Sequence, residues 1–225
     1  MNALWFILIG ISIFLCVLLG GKKYRSTALY ALAIGGIVNA NFFNATTTPI
    51  DIFGLPFGID SIIYTLFVFC VIVMQLTSGK REAYILTVSS VVAIIISAVI
   101  QLLATLLSTG SSAEVWTTFL GFIISAFASL VAMVVMVELI AKLKNKNCYL
   151  VTIIALVAAI IINSGIYYPL SMLACGMPAN IGTLLLTSII GKFFAMGVSL
   201  LTLFIIRKID GKSSSNSDKE EKDVR

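Results

Sequence analysis

Residues 80–107 read KREAYILTVSSVVAIIISAVIQLLATLL: three charged residues, then 25 from Ala83 to Leu107 without a charge. A membrane-spanning helix needs about 20 mainly apolar residues, so this stretch predicts a crossing entered from a basic turn. The same pattern recurs along the chain. Apolar runs bounded by charge or turn residues fall at 3–20, 27–43, 58–77, 84–107, 115–141, 149–168 and 181–206. The expectation is an all-α, polytopic integral membrane helix bundle of about seven transmembrane helices.

Composition points the same way. Hydrophobic side chains make up 60% of the 225 residues and charged ones 11%, whereas a soluble domain carries roughly a quarter charged residues. Little chain remains for a water-exposed catalytic domain. Residues 1–209 are expected to form one transmembrane helical domain, and the polar, mixed-charge stretch 210–225 a disordered cytoplasmic tail. The first run has no basic residue before it and leads straight into Lys22, Lys23 and Arg25, which reads as a retained span rather than a cleaved signal.

Basic residues set the orientation, because lysine and arginine accumulate in short cytoplasmic loops. Lys22, Lys23 and Arg25 follow the first run, Lys80 and Arg81 the third, Lys142, Lys144 and Lys146 the fifth, and Arg207, Lys208 and Lys212 the seventh. The loops 44–57, 108–114 and 169–180 carry no basic residue, but hold Asp51 and Glu114. This alternation predicts an N-terminus outside, a C-terminus in the cytoplasm, and a multi-pass protein of the cell membrane. A formal net charge of +5 is then a topology signal, and nucleic acid is not an expected partner.

Several chemistries are missing. Cys16, Cys70, Cys148 and Cys175 are scattered, no CxxC pair occurs, and there is no histidine to complete a zinc or haem site or to act as a general base. No phosphate-binding G-x-x-x-x-G-K-[ST] loop and no HExxH motif is present. Ser188, one turn before Lys192, is the nearest approach to a nucleophile and base, and a hydroxyl there suits a helix-internal hydrogen bond. No enzyme activity, metal or cofactor is expected.

Polar side chains deep in hydrocarbon are costly unless paired, and by default mark functional positions. The expected substrate-binding residues are Asn39, Asn41, Asp60, Gln101, Asn163 and Lys192. Lys192 falls near the middle of its run, too far for its ammonium to reach either surface by snorkelling. The asparagine amides both donate and accept, which suits a neutral hydrogen-bonding heterocycle. Glu138 stands one turn before Lys142 and is expected to reach either interfacial water or that ammonium. Ser125, Ala128, Ser129 and Ala132 form a small-residue packing face. Loop 44–58, with two prolines and two glycines after Asn44, is expected to be structured and to close the outer side.

The order of features resembles the vitamin-uptake-transporter-like family, which includes queuosine precursor transporters. The resemblance covers about residues 30–210. It is carried by Asn39-Ala40-Asn41 leading to Ile52-Phe53-Gly54-Leu55-Pro56-Phe57-Gly58, by Gly79-Lys80-Arg81-Glu82-Ala83, by Ser129-Leu130-Val131-Ala132 leading to Glu138 and Lys142, and by Ser188-Ile189-Ile190-Gly191-Lys192-Phe193-Phe194-Ala195. It departs where the family has an acidic pair before the basic turn: Val73-Met74-Gln75-Leu76-Thr77-Ser78 stands there. An aspartate of the penultimate span is replaced by Asn163 or its neighbours. The resemblance implies import of a small heterocyclic nutrient or cofactor precursor, with Asn39, Asn41, Asn163 and Lys192 at the site. Two alternatives stand beside it: a substrate-binding subunit of an energy-coupling-factor importer, with ATPase or coupling subunits as partners, and a non-transporting membrane scaffold.

Overall fold

The computed structural model describes residues 21–46, 50–52, 55–57, 59–109, 113–143 and 145–176, together with 182, 185–186, 188–193, 196–197, 199–201, 203–205 and 208. Five helices run through it: α1 (Gly21–Thr46), α2 (Ile59–Ser78), α3 (Lys80–Thr109), α4 (Ala113–Leu143) and α5 (Cys148–Cys175). The described residues between 182 and 208 are helical as well. The second to sixth expected runs therefore reappear as helices, most of them extended by a few residues into their polar flanks.

Three of these helices, over Lys80–Ser108, Val115–Leu143 and Cys148–Cys175, are long and apolar enough to cross a membrane. That makes the chain a multi-pass helical membrane protein with three such spans among the described residues, not the seven expected. The difference has a residue-level cause. Run 3–20 lies outside the described residues, the last run is described only in part, the side chains of α1 are described only over 24–38, and α2 contributes a shorter apolar stretch, Ile63–Ser78.

The outward face of α3 explains why lipid is its solvent. Ile85, Val88, Val92, Ile95, Ile96, Val99, Ile100, Leu103 and Leu107 are exposed, Leu107 to 87%, while the buried face carries Ala83, Leu86, Thr87, Ser90, Val91, Ile94 and Ala98. The larger apolar side chains point out and the smaller, more polar ones point in. In water such a stripe would be an aggregation surface, and in hydrocarbon it costs nothing.

At the centre stands α2. Every residue from Phe67 to Gln75 is buried, as expected for a helix apolar on all sides. It packs against α1, α3, α4 and α5, and the most extensive pairing in the bundle is α4 on α5. There three residues of the expected small-residue face, Ala128, Ser129 and Ala132, are buried and the fourth, Ser125, is half-buried, while α5 buries Thr152, Ala155 and Ala159. Small residues at this spacing let two helices approach closely where no hydrophobic effect drives them together.

Two connections depart from expectation. Gly79 alone joins α2 to α3, with φ +99°, a conformation glycine adopts without the clash a Cβ would bring. The chain was expected to leave its helix at Pro169. Instead α5 continues through that proline to Cys175 and ends at Gly176, in the left-handed region (φ 62°, ψ 40°). A proline removes one intrahelical hydrogen bond, which spanning helices tolerate where neighbours restore the lost partners. Cys175 is thus helical rather than a loop residue, its Sγ 3.5 Å from the Thr117 carbonyl. Cys70 is buried, and Cys148 and Cys175 are half-buried.

The bundle is not purely α-helical. Ile50–Ile52 (β1) and Leu55–Phe57 (β2) pair antiparallel in a two-stranded hairpin, with Ile50 opposite Phe57 and Ile52 opposite Leu55. Two residues separate the strands. Within loop 44–58, residues 44–46 are thus the end of α1, and 50–52 and 55–57 are paired strands. The tail from 210 lies outside the described residues.

Candidate functional site

Lys192 lies on the buried face of the last helical stretch with Ser188, Ser199 and Leu203, at spacings of four, seven and eleven residues, and is 4% exposed. Its ammonium donates to Asn163 Oδ1 at 3.2 Å and to Ser164 Oγ at 2.9 Å, both on α5. Asn163 Nδ2 in turn reaches Ser129 Oγ of α4 over 3.5 Å. Nζ also stands 5.0 Å from the ring centroid of Tyr64 on α2, a distance at which the ring face attracts a cation. Four elements thus meet in one polar cluster, of which Tyr64, Ser129, Asn163 and Ser164 are all buried.

The helical rise explains why these residues share a level. Tyr64 stands 14 residues before Ser78, Ser129 14 before Leu143, and Asn163 15 after Cys148. At 1.5 Å per residue each lies about 21 to 23 Å from the helix end that carries the basic turn. Lys192, 16 residues before Lys208, falls within a turn of the same layer. A second contact fixes the direction: Tyr149 at the start of α5 meets Phe204 with ring centroids 6.5 Å apart, so the last stretch runs antiparallel to α5.

Of the expected site residues, the structure joins Asn163 and Lys192. Gln101 is half-buried on α3, 21 residues from Lys80 and so about 31 Å along the helix, well above the layer. Its backbone carbonyl accepts from Thr105 Oγ1, and no hydrogen bond described here links it to Lys192. Asn39 and Asn41 fall on the last turns of α1 and Asp60 on the first turn of α2, but their side chains lie outside the described residues. Tyr64 and Ser164 were not anticipated. Neither carries a charge to mark it, and only counting residues outward from each basic turn would have placed them level with Lys192.

A second polar group sits at the basic end of the bundle. Glu138 pairs with Lys80 at 2.7 Å and accepts from the Tyr84 hydroxyl at 2.5 Å. The charge of Lys142, on the same helix, acts on this carboxylate as expected. Lys80 and Tyr84, one turn apart at the start of α3, face Glu138 across the α3–α4 seam as well and make its direct contacts. Tyr30 of α1 donates to Glu82 at 3.2 Å, and Gln75 Nε2 donates to the Val137 carbonyl at 2.8 Å. These contacts tie α1, α2, α3 and α4 at one level. Lys80 and Glu138 remain 46% and 43% exposed, so this ion pair borders solvent while Lys192 does not.

Among the described residues no group of three or more His, Cys, Asp or Glu side chains is placed to hold a metal ion. Comparison with protein families, with curated proteins and with solved structures finds no match for this chain.

Proposed function

We propose that this chain is an integral-membrane importer of a small heterocyclic nutrient or cofactor precursor, bound at mid-bundle around Lys192, Asn163, Ser164 and Tyr64. One observation carries the proposal: a lysine 4% exposed, held at the level where four helical elements meet by amide and hydroxyl groups. Ionisable groups inside a membrane bundle are expensive and mark substrate or ion paths. The amide and hydroxyls around this one can exchange hydrogen bonds with a solute without moving a formal charge through hydrocarbon. The ordered stretches that resemble vitamin-uptake-transporter-like proteins favour the same reading. The distribution of basic residues favours the arrangement that goes with it, seven crossings with the N-terminus outside.

The test is thermal stabilisation of the purified protein by a panel of purines, deazapurines, pterins and water-soluble vitamins. A ligand at 100 times its Kd raises stability by about 2.7 kcal/mol. We expect at least one compound to stabilise the parent, and Lys192→Met and Ser164→Ala, both still folded, to lose that response. A parent blind to the whole panel, with both variants melting as it does, would leave a scaffold whose polar residues only join helices.

A further inference from the structure

Tyr64 differs from the other members of the cluster. Its ring is fixed twice, edge-on against Phe67 with centroids 6.4 Å apart and interplanar angle 64°, and under the Lys192 ammonium. The residue is 6% exposed. Yet its hydroxyl oxygen is buried and meets no hydrogen-bonding partner among the described residues. Ser129, Asn163 and Ser164 all engage within the cluster. A buried hydroxyl left unpaired is destabilising; Ser90 and Ser171 also carry one, but the Tyr64 hydroxyl belongs to a ring that the Lys192 ammonium faces.

We propose that the Tyr64 hydroxyl is the group that recognises the transported solute, donating its hydrogen bond to an oxygen acceptor on it. This rests on the mid-bundle binding site proposed above and names the chemistry that site reads. The phenol O–H is carried by a ring whose centroid lies 5.0 Å from an ammonium, a group that can only donate. A donor beside a positive charge favours an acceptor rich in negative charge, either a ring carbonyl or a carboxylate oxygen. The Phe67 contact and the ammonium hold the ring in place, so the hydroxyl is presented at a fixed position with little conformational freedom left to lose on binding.

The substitution Tyr64→Phe separates this role from a structural one. In the ligand-free protein it removes an unpaired polar atom and keeps the ring, so the melting temperature should equal or exceed that of the parent. Binding is read by titrating parent and variant with guanine, with 2-aminopurine, which lacks guanine's ring carbonyl, and with nicotinate, whose acceptor is a carboxylate. We expect Tyr64→Phe to weaken guanine or nicotinate about tenfold, the worth of one hydrogen bond. If guanine is the ligand, the parent's preference for it over 2-aminopurine should disappear as well. Loss for guanine alone assigns a ring carbonyl, and loss for nicotinate alone a carboxylate.

A variant that melts several degrees below the parent would show that the hydroxyl has a structural partner, and would overturn the proposal. So would unchanged affinity in a parent that binds, which would leave the site itself standing. A parent that binds neither guanine nor nicotinate overturns the assignment, and if the wider panel also fails, the mid-bundle site falls with it.

Discussion

Gln75 shows how a single polar residue is accommodated when its helix is wrapped by protein on all sides. Its Nε2 donates to the Val137 carbonyl across the α2–α4 seam, while Oε1 is buried with no partner among the described residues. One hydrogen bond contributes about 1 kcal/mol and one orphaned acceptor costs about as much or more. Gln75→Met, close in volume, should therefore change stability by no more than about 1 kcal/mol, measured by chemical denaturation in detergent. A loss of several kcal/mol would mean that Oε1 has a partner. Lys192 is the opposite case, because its donors are engaged by groups on another helix, and the same charge that made it conspicuous in sequence holds the cluster together. The residues that sequence did not reveal, Tyr64 and Ser164, are those whose cost in hydrocarbon is small enough to pass as packing.

Helices were the most legible level of this chain. Runs of 17 to 27 uncharged or nearly uncharged residues leave no other way to satisfy the backbone in lipid, and α2 to α4 begin and end within a few residues of the expected runs. Two boundaries were set by glycine rather than by hydropathy. The helix α5 passes Pro169 and stops at Gly176, and α2 turns into α3 through Gly79 alone. At Gly79 no atom comes within 4 Å of the position a Cβ would take, so space is not the constraint; the φ of +99° is. Gly79→Ala should destabilise the α2–α3 corner by at least about 1 kcal/mol through backbone strain, seen as a lower melting temperature. An unchanged melting temperature would mean that the corner relaxes freely. The pairing of Lys80 with Glu138 was not legible, because it depends on the rotation of α3 about its own axis and not on spacing along one helix.

For the molecule as a whole, the contacts made by Tyr30, Gln75, Lys80, Tyr84 and Val137 gather one end of α1 to α4, and this end carries the basic turn. Under the orientation proposed from the basic residues, a single cysteine placed at Asn145, in a variant otherwise free of cysteine, should be labelled by a membrane-impermeant maleimide only after the cytoplasmic side is opened. One at Ser108, at the far end of α3, should be labelled in intact cells. Labelling of both from the same side would overturn the orientation. The site was half legible for a related reason: the sequence supplies the height of each polar residue along its helix, but which helices touch at that height is decided by packing.

The enclosure of α2 from Phe67 to Gln75 separates two demands that hydrophobicity usually meets together. A helix facing lipid must be apolar for as long as the protein exists, whereas the run from Phe67 to Met74 is surrounded by its own neighbours and meets no lipid once the bundle is assembled. Its oiliness is therefore needed chiefly during biosynthesis, when the segment must leave the translocation machinery for the bilayer before its neighbours have closed around it. Polar replacements along α2 should then show up as failed insertion more readily than as an unstable finished protein.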